Sequence, residues 1–330
     1  MSSGKRVSER FLAVACACVV LAAGAACDRA GLSNEVPYSP PPPLALVALL
    51  DPAPDRLPGE LRQLEAVISA NATPDEAVVA MLLEPSFGAM YVVQPGDSLS
   101  KIAAAHGLTL SSIEAANPQL GPLSGRDWKL IHPGERVILP DGSADGALLL
   151  ASKAPSGPPH PMLLRLPQPP SSNATDFQRA QYKRTVDSDN ATNAARIAAW
   201  QAAAAGTVKT WQAQVASQLS AKAGLANAVA PRPTPSIVAA SVVAGLTTLG
   251  GLAGRHVLLI LGGGDSVPGQ LAPQSLANVS LVIANLTDSK ASAEWAAAGA
   301  RAGAVSVDAL DTALTQLQLS QVVNTATKEG

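Results

Sequence analysis

The side chains that could carry chemistry are few and widely spaced in this sequence of 330 residues. The cysteines end at Cys27, so the rest of the chain has no thiolate nucleophile and no cysteine ligands for zinc. The four histidines, His106, His132, His160 and His256, form no metal-binding pair at helical spacing with a neighbouring acid. We find no G-x-S-x-G nucleophile elbow. These observations predict no catalytic residue, no metal site and no cofactor.

Paired acids and a glycine-rich turn give weaker chemical signals. The pair Asp187 and Asp189 lies in a polar stretch, and the pair Asp308 and Asp311 lies at the start of a predicted last helix. Solvated faces or helix caps account for both pairs. The turn LGGGDSVPG follows an apolar strand pattern, an order that can cradle phosphate. It lacks a Lys-Ser or Lys-Thr pair, and no clear helix start follows it.

Composition limits the partners and the architecture. The net charge is −2 and only 15% of the residues are charged, so no basic face indicates nucleic acid. The 26 glycines and 27 prolines, together with few aromatic residues, predict small packed units joined by flexible segments.

Residues 1–27 have the pattern of an export signal, with a basic start followed by an apolar run that ends in small residues. The run resembles a bacterial lipoprotein signal, which implies that Cys27 becomes a lipidated first residue of the mature chain. Gly24 departs from that pattern, because a branched aliphatic residue is usual there. Ordinary secretory cleavage and a transmembrane anchor are the alternatives, although the run is short for a bilayer span. We expect an exported cell-envelope protein, membrane-anchored on the outer side of the cytoplasmic membrane.

A compact pattern occupies Tyr91 to Pro140. The strand-like YVVQ precedes a Pro-Gly turn, and Asp97 or Ser98 can cap the helix that follows. Gly107 can end that helix, a second short helix follows, and ERVILP supplies a second strand. The predicted inner positions of the two helices are Leu99, Ile102, Ala103, His106, Leu110, Ile113 and Ala116.

Three motifs in this order, YVVQPGDSLSKIA, AANP and IHPGERVILP, make residues 91–140 resemble a LysM module. The resemblance implies binding of glycans that contain N-acetylglucosamine, chiefly peptidoglycan or chitin, in a shallow groove between two loops. At matching positions, the implied glycan-binding residues are Gly96, Asp97, Ser98, Leu99, Asn117, Pro118, Gln119, Ile131 and His132. Trp128 could stack on a sugar or plug its loop against the core, and Asp97 could be a helix cap alone.

Outside this module the patterns predict a proline-rich linker over 28–60, a short helical segment over 61–88, and a linker or short strands over 141–172. Within 61–88, Thr73-Pro74-Asp75-Glu76 reads as a helix start. Strand and helix patterns alternate over 173–325, which predicts an α/β domain with a long Ala-rich helix.

The stretch TPSIVAASVVAGLTTLGGLAGRHVLLILGGGD resembles the middle of a von Willebrand factor type A fold. The metal-binding form of that fold needs an Asp-x-Ser-x-Ser loop after its first strand. LLLASKAPSG holds the plausible place and has no aspartate, so Thr234 and Asp265 alone would make a poor Mg²⁺ site. We expect a metal-free scaffold for protein contact, with Trp295 in its core.

The sequence therefore predicts a multidomain protein of α+β and α/β class. A small βααβ LysM module would precede a C-terminal Rossmann-like, von Willebrand A-like three-layer α/β domain. We expect a noncatalytic envelope protein that binds peptidoglycan or a chitin-like glycan, and whose C-terminal domain contacts another envelope protein. The alternative is a cell-wall hydrolase or other envelope enzyme with its active site in the C-terminal domain.

Overall fold

The computed structural model describes residues 34–83, 89–140, 148–225, 233–269, 271–272 and 275–310. The predicted signal over 1–27 and the predicted last helix after Asp311 lie outside these residues. The strands, in chain order, are β1 Glu35–Pro37, β2 Leu44–Leu50, β3 Ala77–Leu82, β4 Ala89–Val92, β5 Arg136–Leu139, β6 Leu148–Lys153, β7 Met162–Leu164, β8 Arg255–Ile260, β9 Val279–Ile283 and β10 Ser306–Ala309. The α-helices are α1 Leu57–Asn71, α2 Leu99–Ala105, α3 Leu110–Ala116, α4 Asp176–Lys222, α5 Pro235–Gly250 and α6 Ser289–Arg301.

A six-stranded sheet in the order β10-β9-β8-β2-β3-β6 forms the centre of the molecule. All neighbouring strands are parallel except β6, which is antiparallel to β3 at one edge. Helices α1 and α4 pack on one face of the sheet, and α5 and α6 pack on the other. The sheet and its two helical layers are the three-layer α/β arrangement that the strand and helix alternation predicts.

The linker interpretation of 28–60 is wrong for much of that range. Every residue of LALVALL in β2 is buried, and β2 pairs with both β3 and β8 in the middle of the sheet. When helices cover both faces of a strand, all its side chains are buried. Its sequence is then a continuous apolar run and does not alternate between apolar and polar residues. The adjacent proline run made this strand look like part of an extended linker.

The helix predicted to start at Thr73-Pro74-Asp75-Glu76 is not formed, and a strand follows these residues instead. Ala77–Leu82 is fully buried in β3, while Asp75 adopts a positive φ of 63° just before it. The Glu76 carboxylate accepts a hydrogen bond from the Thr73 backbone N–H at 3.0 Å, so these residues form a turn. β-branched residues and pairing with β2 outweigh the local helix-start pattern.

The LysM-like segment is inserted into the α/β domain and does not precede it. It lies between β3 and β6, two neighbouring strands of the same sheet. Within the segment, β4 and β5 pair antiparallel over Ala89–Val92 and Arg136–Leu139. The α/β domain thus begins near residue 44, ahead of the predicted boundary at 173. LLLASKAPSG contains the antiparallel edge strand β6, and the first strand of the sheet is instead β2, which ends at Leu50, directly before Asp51.

Helix α4 has 47 residues and confirms the long Ala-rich helix. Thr175 and Gln178 form a capping box at its start. Its buried residues all lie in its C-terminal half and pack on α1 and the sheet. Asp187 and Asp189 lie on this helix, and Asp308 lies in strand β10 and does not start a helix.

Two glutamates are buried inside the α/β domain. Glu60 on α1 accepts a hydrogen bond from the Asp51 backbone N–H at 2.7 Å, and burial raises its pKa to about 8. Glu76 is fully buried, and burial likewise raises its pKa to about 8. Because the protonated form of each is favoured in the folded state, each folded pKa lies above the unfolded value.

We therefore expect the stability of the protein to fall as pH rises. The contribution of each glutamate is fully present below the ordinary pKa of 4.5 and is lost as pH rises to about 8. Glu60→Gln and Glu76→Gln should each reduce the change in the free energy of unfolding between pH 5 and pH 9 by on the order of a few kcal/mol, measured by denaturant unfolding.

Glu294→Gln, at an exposed position on α6, should leave that change as it is in the unmodified protein. Equal slopes in all four proteins would contradict this expectation.

Candidate functional site

In the LysM-like segment, two short helices pack against the antiparallel pair of strands β4 and β5. Ser98 caps α2 by accepting a hydrogen bond from the Lys101 N–H, and Thr109 caps α3 in the same way. Gly107 has a φ of 68°, which glycine adopts without strain. The buried side chains of the segment form a separate small core, made of Val93, Leu99, Ile102, Ala103, Ile113, Leu120, Val137 and Leu139.

Two predicted inner positions are exposed, and a third, Ala116, is only partly buried. His106 is exposed because α2 ends at Ala105, so His106 is the C-cap residue and its ring meets Tyr91 edge-on at 5.6 Å. Leu110 is 41% exposed at the first position of α3. In helices of seven residues, end effects outweigh the helical periodicity that placed both residues inside.

Five of the nine predicted glycan-binding residues lie at least partly at the surface. They are Gly96, Asp97, Ser98, Ile131 and His132. Gly96 has a φ of 87°, and nothing within 4 Å would meet a Cβ there, so the loop before α2 presents its backbone openly. Ile131 is half-buried against the small core. An exposed backbone and a partly buried aliphatic side chain are each features that suit an acetamido sugar.

Asp97 does not cap α2. Its carboxylate accepts hydrogen bonds from the Gln94 N–H and the Tyr91 hydroxyl, both at 2.7 Å. These two bonds, the Gln94 bond first, lower the pKa of Asp97 below its ordinary value. Asp97 thereby fixes the Pro-Gly turn against β4, and sequence reasoning missed the Tyr91 contact because nothing in the pattern indicates it.

The other four predicted residues are buried. Leu99 is 3% exposed within the small core, and Pro118 and Gln119 are covered where the segment meets α5. Asn117 is fully buried, and its amide donates to the Ile113 and Ile138 carbonyls, both at 2.8 Å, and accepts from the Ile138 N–H at 2.7 Å. These four residues therefore have little surface that could contact a ligand directly.

The longer loop over 120–130 folds onto the module. Trp128 is partly buried and lies on Gly121, where an added Cβ would come within 2.3 Å of the indole. This arrangement agrees with the alternative in which Trp128 packs its loop against the core of the module. Glu135 accepts hydrogen bonds from the Arg126 guanidinium at 2.6 Å and from the His132 N–H at 2.7 Å. Burial alone would raise the pKa of Glu135, but these partners outweigh it and lower the pKa.

A second group of polar residues lies at the carboxyl ends of the parallel strands. Asp51 is 1% exposed and forms an ion pair with Arg56 at 3.0 Å. Asp265 accepts hydrogen bonds from the backbone N–H groups of Thr287 and Asp288. Burial would raise the pKa of Asp265, but a hydrogen bond from the Thr287 hydroxyl, together with these two backbone bonds, lowers it. Sequence reasoning missed Asp51, although an acid directly after a seven-residue apolar run is a usable signal.

Thr234 and Asp265, expected to make at most a poor Mg²⁺ site, each form hydrogen bonds within the fold. Thr234 caps α5, accepting from the Ile237 N–H, and Asp265 holds the loop after β9. Within the described ranges, no group of three or more His, Cys, Asp or Glu side chains could hold a metal ion. Trp295 is fully buried and donates to the Gly264 carbonyl at 2.6 Å, consistent with a core role.

Comparison with known proteins identifies the inserted segment. Residues 91–140 match the family model of the LysM domain. A stretch of 51 residues is 45% identical to part of the Teichoic acids export ATP-binding protein TagH of Lactococcus lactis subsp. lactis (strain IL1403). That alignment covers 16% of this chain and 10% of the relative, so the chain spans only a small part of that protein. No solved structure matches the chain.

The chain therefore contains a LysM domain. LysM domains bind peptidoglycan and chitin-like glycans and occur in cell-envelope proteins. Among the described helices, none has the length and apolar character needed to cross a membrane.

Asn117 provides a test of how the domain is held together. Asn117→Ala removes the partners of both the Ile138 N–H and the Ile138 carbonyl, and both groups are buried. We expect the free energy of local opening of residues 89–140 to fall by about 2–4 kcal/mol, measured by hydrogen exchange.

Asn193 on α4 is the matched control, because its amide bridges the N–H and the carbonyl of Leu164 in the same manner. Asn193 is only partly buried, so water can replace its hydrogen bonds. Asn193→Ala should therefore lower the free energy of local opening around Leu164 by less than Asn117→Ala lowers that of residues 89–140. Equal losses at the two sites would contradict the role given to Asn117.

Proposed function

We propose that this protein is a noncatalytic cell-envelope protein that binds N-acetylglucosamine-containing glycan, peptidoglycan above all, through its LysM domain. The match of residues 91–140 to the LysM family carries the proposal. The glycan would contact the open backbone around Gly96 and the partly buried side chain of Ile131. Residues 96–98 and 131–132 keep the exposure that such a groove requires.

The α/β domain would act as a scaffold for another envelope protein. Its insertion geometry supports this role, because both ends of the LysM domain enter neighbouring strands of one sheet. A module held at two points transmits its position to the scaffold more rigidly than a module on a single tether. The likeness to a von Willebrand A-like fold remains part of this proposal, resting on the strand and helix order after Thr234.

The groove assignment is tested by replacing its half-buried aliphatic residue. Ile131→Ser removes apolar area under the sugar and should weaken pelleting of the full chain with insoluble peptidoglycan by roughly tenfold. Leu130→Ser is the matched control, since Leu130 is the neighbouring residue, is 55% exposed and lies outside the predicted groove. A parallel assay on chitin reports whether the muramoyl sugar matters.

Failure of the unmodified protein to pellet with either glycan would sink the glycan-binding proposal. Equal loss in both variants would remove the groove assignment while leaving glycan binding intact. Soluble muropeptides released from labelled cell wall would instead establish the alternative, a hydrolase active in the α/β domain.

Membrane anchoring through Cys27 is a separate part of the proposal. It rests on the sequence pattern of residues 1–27. In a bacterial host, Cys27→Ser should move the protein from the membrane fraction to the soluble fraction and abolish incorporation of labelled fatty acid. Retention of the label in the Cys27→Ser protein would contradict lipidation at this residue.

A further inference from the structure

A cavity lies between the LysM domain and helix α5. Its volume is about 450 Å³, which lies within the range of small-molecule sites. Gln119, Arg126 and Arg136 line it from the LysM side, Val243 and Leu246 line it from α5, and Ser275 lies on the far wall. We call this space the junction cavity.

Two residues that line the junction cavity each have a buried polar atom that lacks a partner among the described residues. The atoms are the Oε1 atom of Gln119 and the hydroxyl of Ser275. A buried polar atom without a hydrogen bond costs on the order of 1–3 kcal/mol, so a native protein usually fills such a place with water or a ligand. The two atoms therefore mark the cavity as a place where a polar group is received.

The orientation of the Gln119 amide follows from its neighbour. Asn117 uses its amide N–H groups on the Ile113 and Ile138 carbonyls, so its Oδ1 can only accept. The Gln119 Nε2 donates to that Oδ1 at 3.2 Å, which leaves the Gln119 Oε1 as the atom without a partner. An acceptor fixed in this way calls for an N–H donor, such as an amide.

The charged and apolar residues of the junction cavity indicate which groups a ligand carries besides an N–H donor. Arg126 is paired with Glu135, so their charges cancel. The third charged residue, Arg136, is exposed and adds one positive charge at the rim. The aliphatic side chains of Val243 and Leu246 supply a small apolar wall. A ligand that suits these surfaces combines an amide, a small apolar group and a carboxylate.

The junction cavity adjoins the predicted groove through Glu135. Glu135 lines the cavity and accepts a hydrogen bond from the N–H of His132, an exposed residue of the predicted groove. A substituent on a glycan in the groove can therefore extend toward α5. Chitin offers acetamido groups but no carboxylate, whereas the peptide stem of peptidoglycan offers amides, alanine methyl groups and carboxylates.

We infer that the junction cavity is a subsite for the peptide stem of peptidoglycan, in addition to the sugar groove. This inference rests on the proposed glycan binding by the LysM domain. It adds that α5 of the α/β domain takes part in recognition, and that the protein distinguishes peptide-bearing glycan from chitin.

Calorimetric titration of the full chain tests the inference with three soluble ligands. They are a tetramer of N-acetylglucosamine, a muropeptide of equal sugar number with its peptide stems, and the same muropeptide with its carboxyls amidated. We expect the muropeptide to bind about tenfold more tightly than the chitin tetramer, and amidation to remove most of that difference.

Two variants separate the subsite from the groove. Arg136→Gln removes the charge at the rim, and Val243→Trp fills the cavity from a position that is 41% exposed. Each should abolish the tenfold preference without changing the affinity for the chitin tetramer. Lys129→Gln, an exposed cation of the LysM domain outside the lining, and Val305→Trp, at an equally exposed valine, are the matched controls and should keep the preference.

The possible failures differ from one another. Equal affinities for all three ligands, unchanged in both variants, would overturn the subsite and leave glycan binding standing. Absence of binding to any of the three would overturn the glycan-binding proposal and the subsite with it. A preference for the muropeptide that survives both variants would place recognition of the stem elsewhere and overturn the assignment to the junction cavity.

Discussion

The side chain of Asn117 is the interaction on which the geometry of the LysM domain depends. Its amide and carbonyl satisfy both backbone groups of Ile138 in β5, and it also holds the carbonyl of Ile113 in α3. One fully buried side chain thus joins the second helix to strand β5 in a module whose own core has eight buried apolar residues. A small core stabilises a fold only weakly. Buried hydrogen bonds like those of Asn117 therefore contribute strongly to specifying a single native arrangement.

The same residue connects the LysM domain to the rest of the molecule. Asn117 orients Gln119, and Gln119 packs against Gly251, where an added Cβ would lie within 2.7 Å of the Gln119 side chain. Leu123 and Ile138 enter the buried cluster that α5 shares with the central sheet. The LysM domain is therefore packed against α5 through apolar contacts, and its position relative to the sheet is fixed by packing as well as by its two chain connections.

Local signals predicted the LysM domain well and the α/β domain in part. The capping residues Ser98 and Thr109, the turn at Gly107 and the order of strands and helices are all encoded within a few residues. The strand and helix patterns of α5, β8, β9, α6 and β10 were also readable, because each has its own periodicity or apolar run. Trp295 was correctly assigned to the core.

What sequence reasoning missed depends on contacts between distant residues. Nothing near LALVALL shows that it pairs with β8, which lies more than 200 residues later, so the proline run beside it decided the wrong interpretation. The insertion of the LysM domain follows from the pairing of β3 with β6, which no local pattern records. Burial of Pro118 and Gln119 likewise follows from the approach of α5, made possible by the missing side chain at Gly251.

The insertion also bears on how a single shallow groove can serve a useful function. A LysM domain on a flexible tether would contribute only its own groove, and weak single modules usually gain from multiple attachment. Here helix α5 packs against the module and lines a cavity together with it, and the packing already fixes that arrangement. If the proposed glycan binding holds, this wall of the α/β domain would add a second surface to the sugar groove at no further cost in ordering.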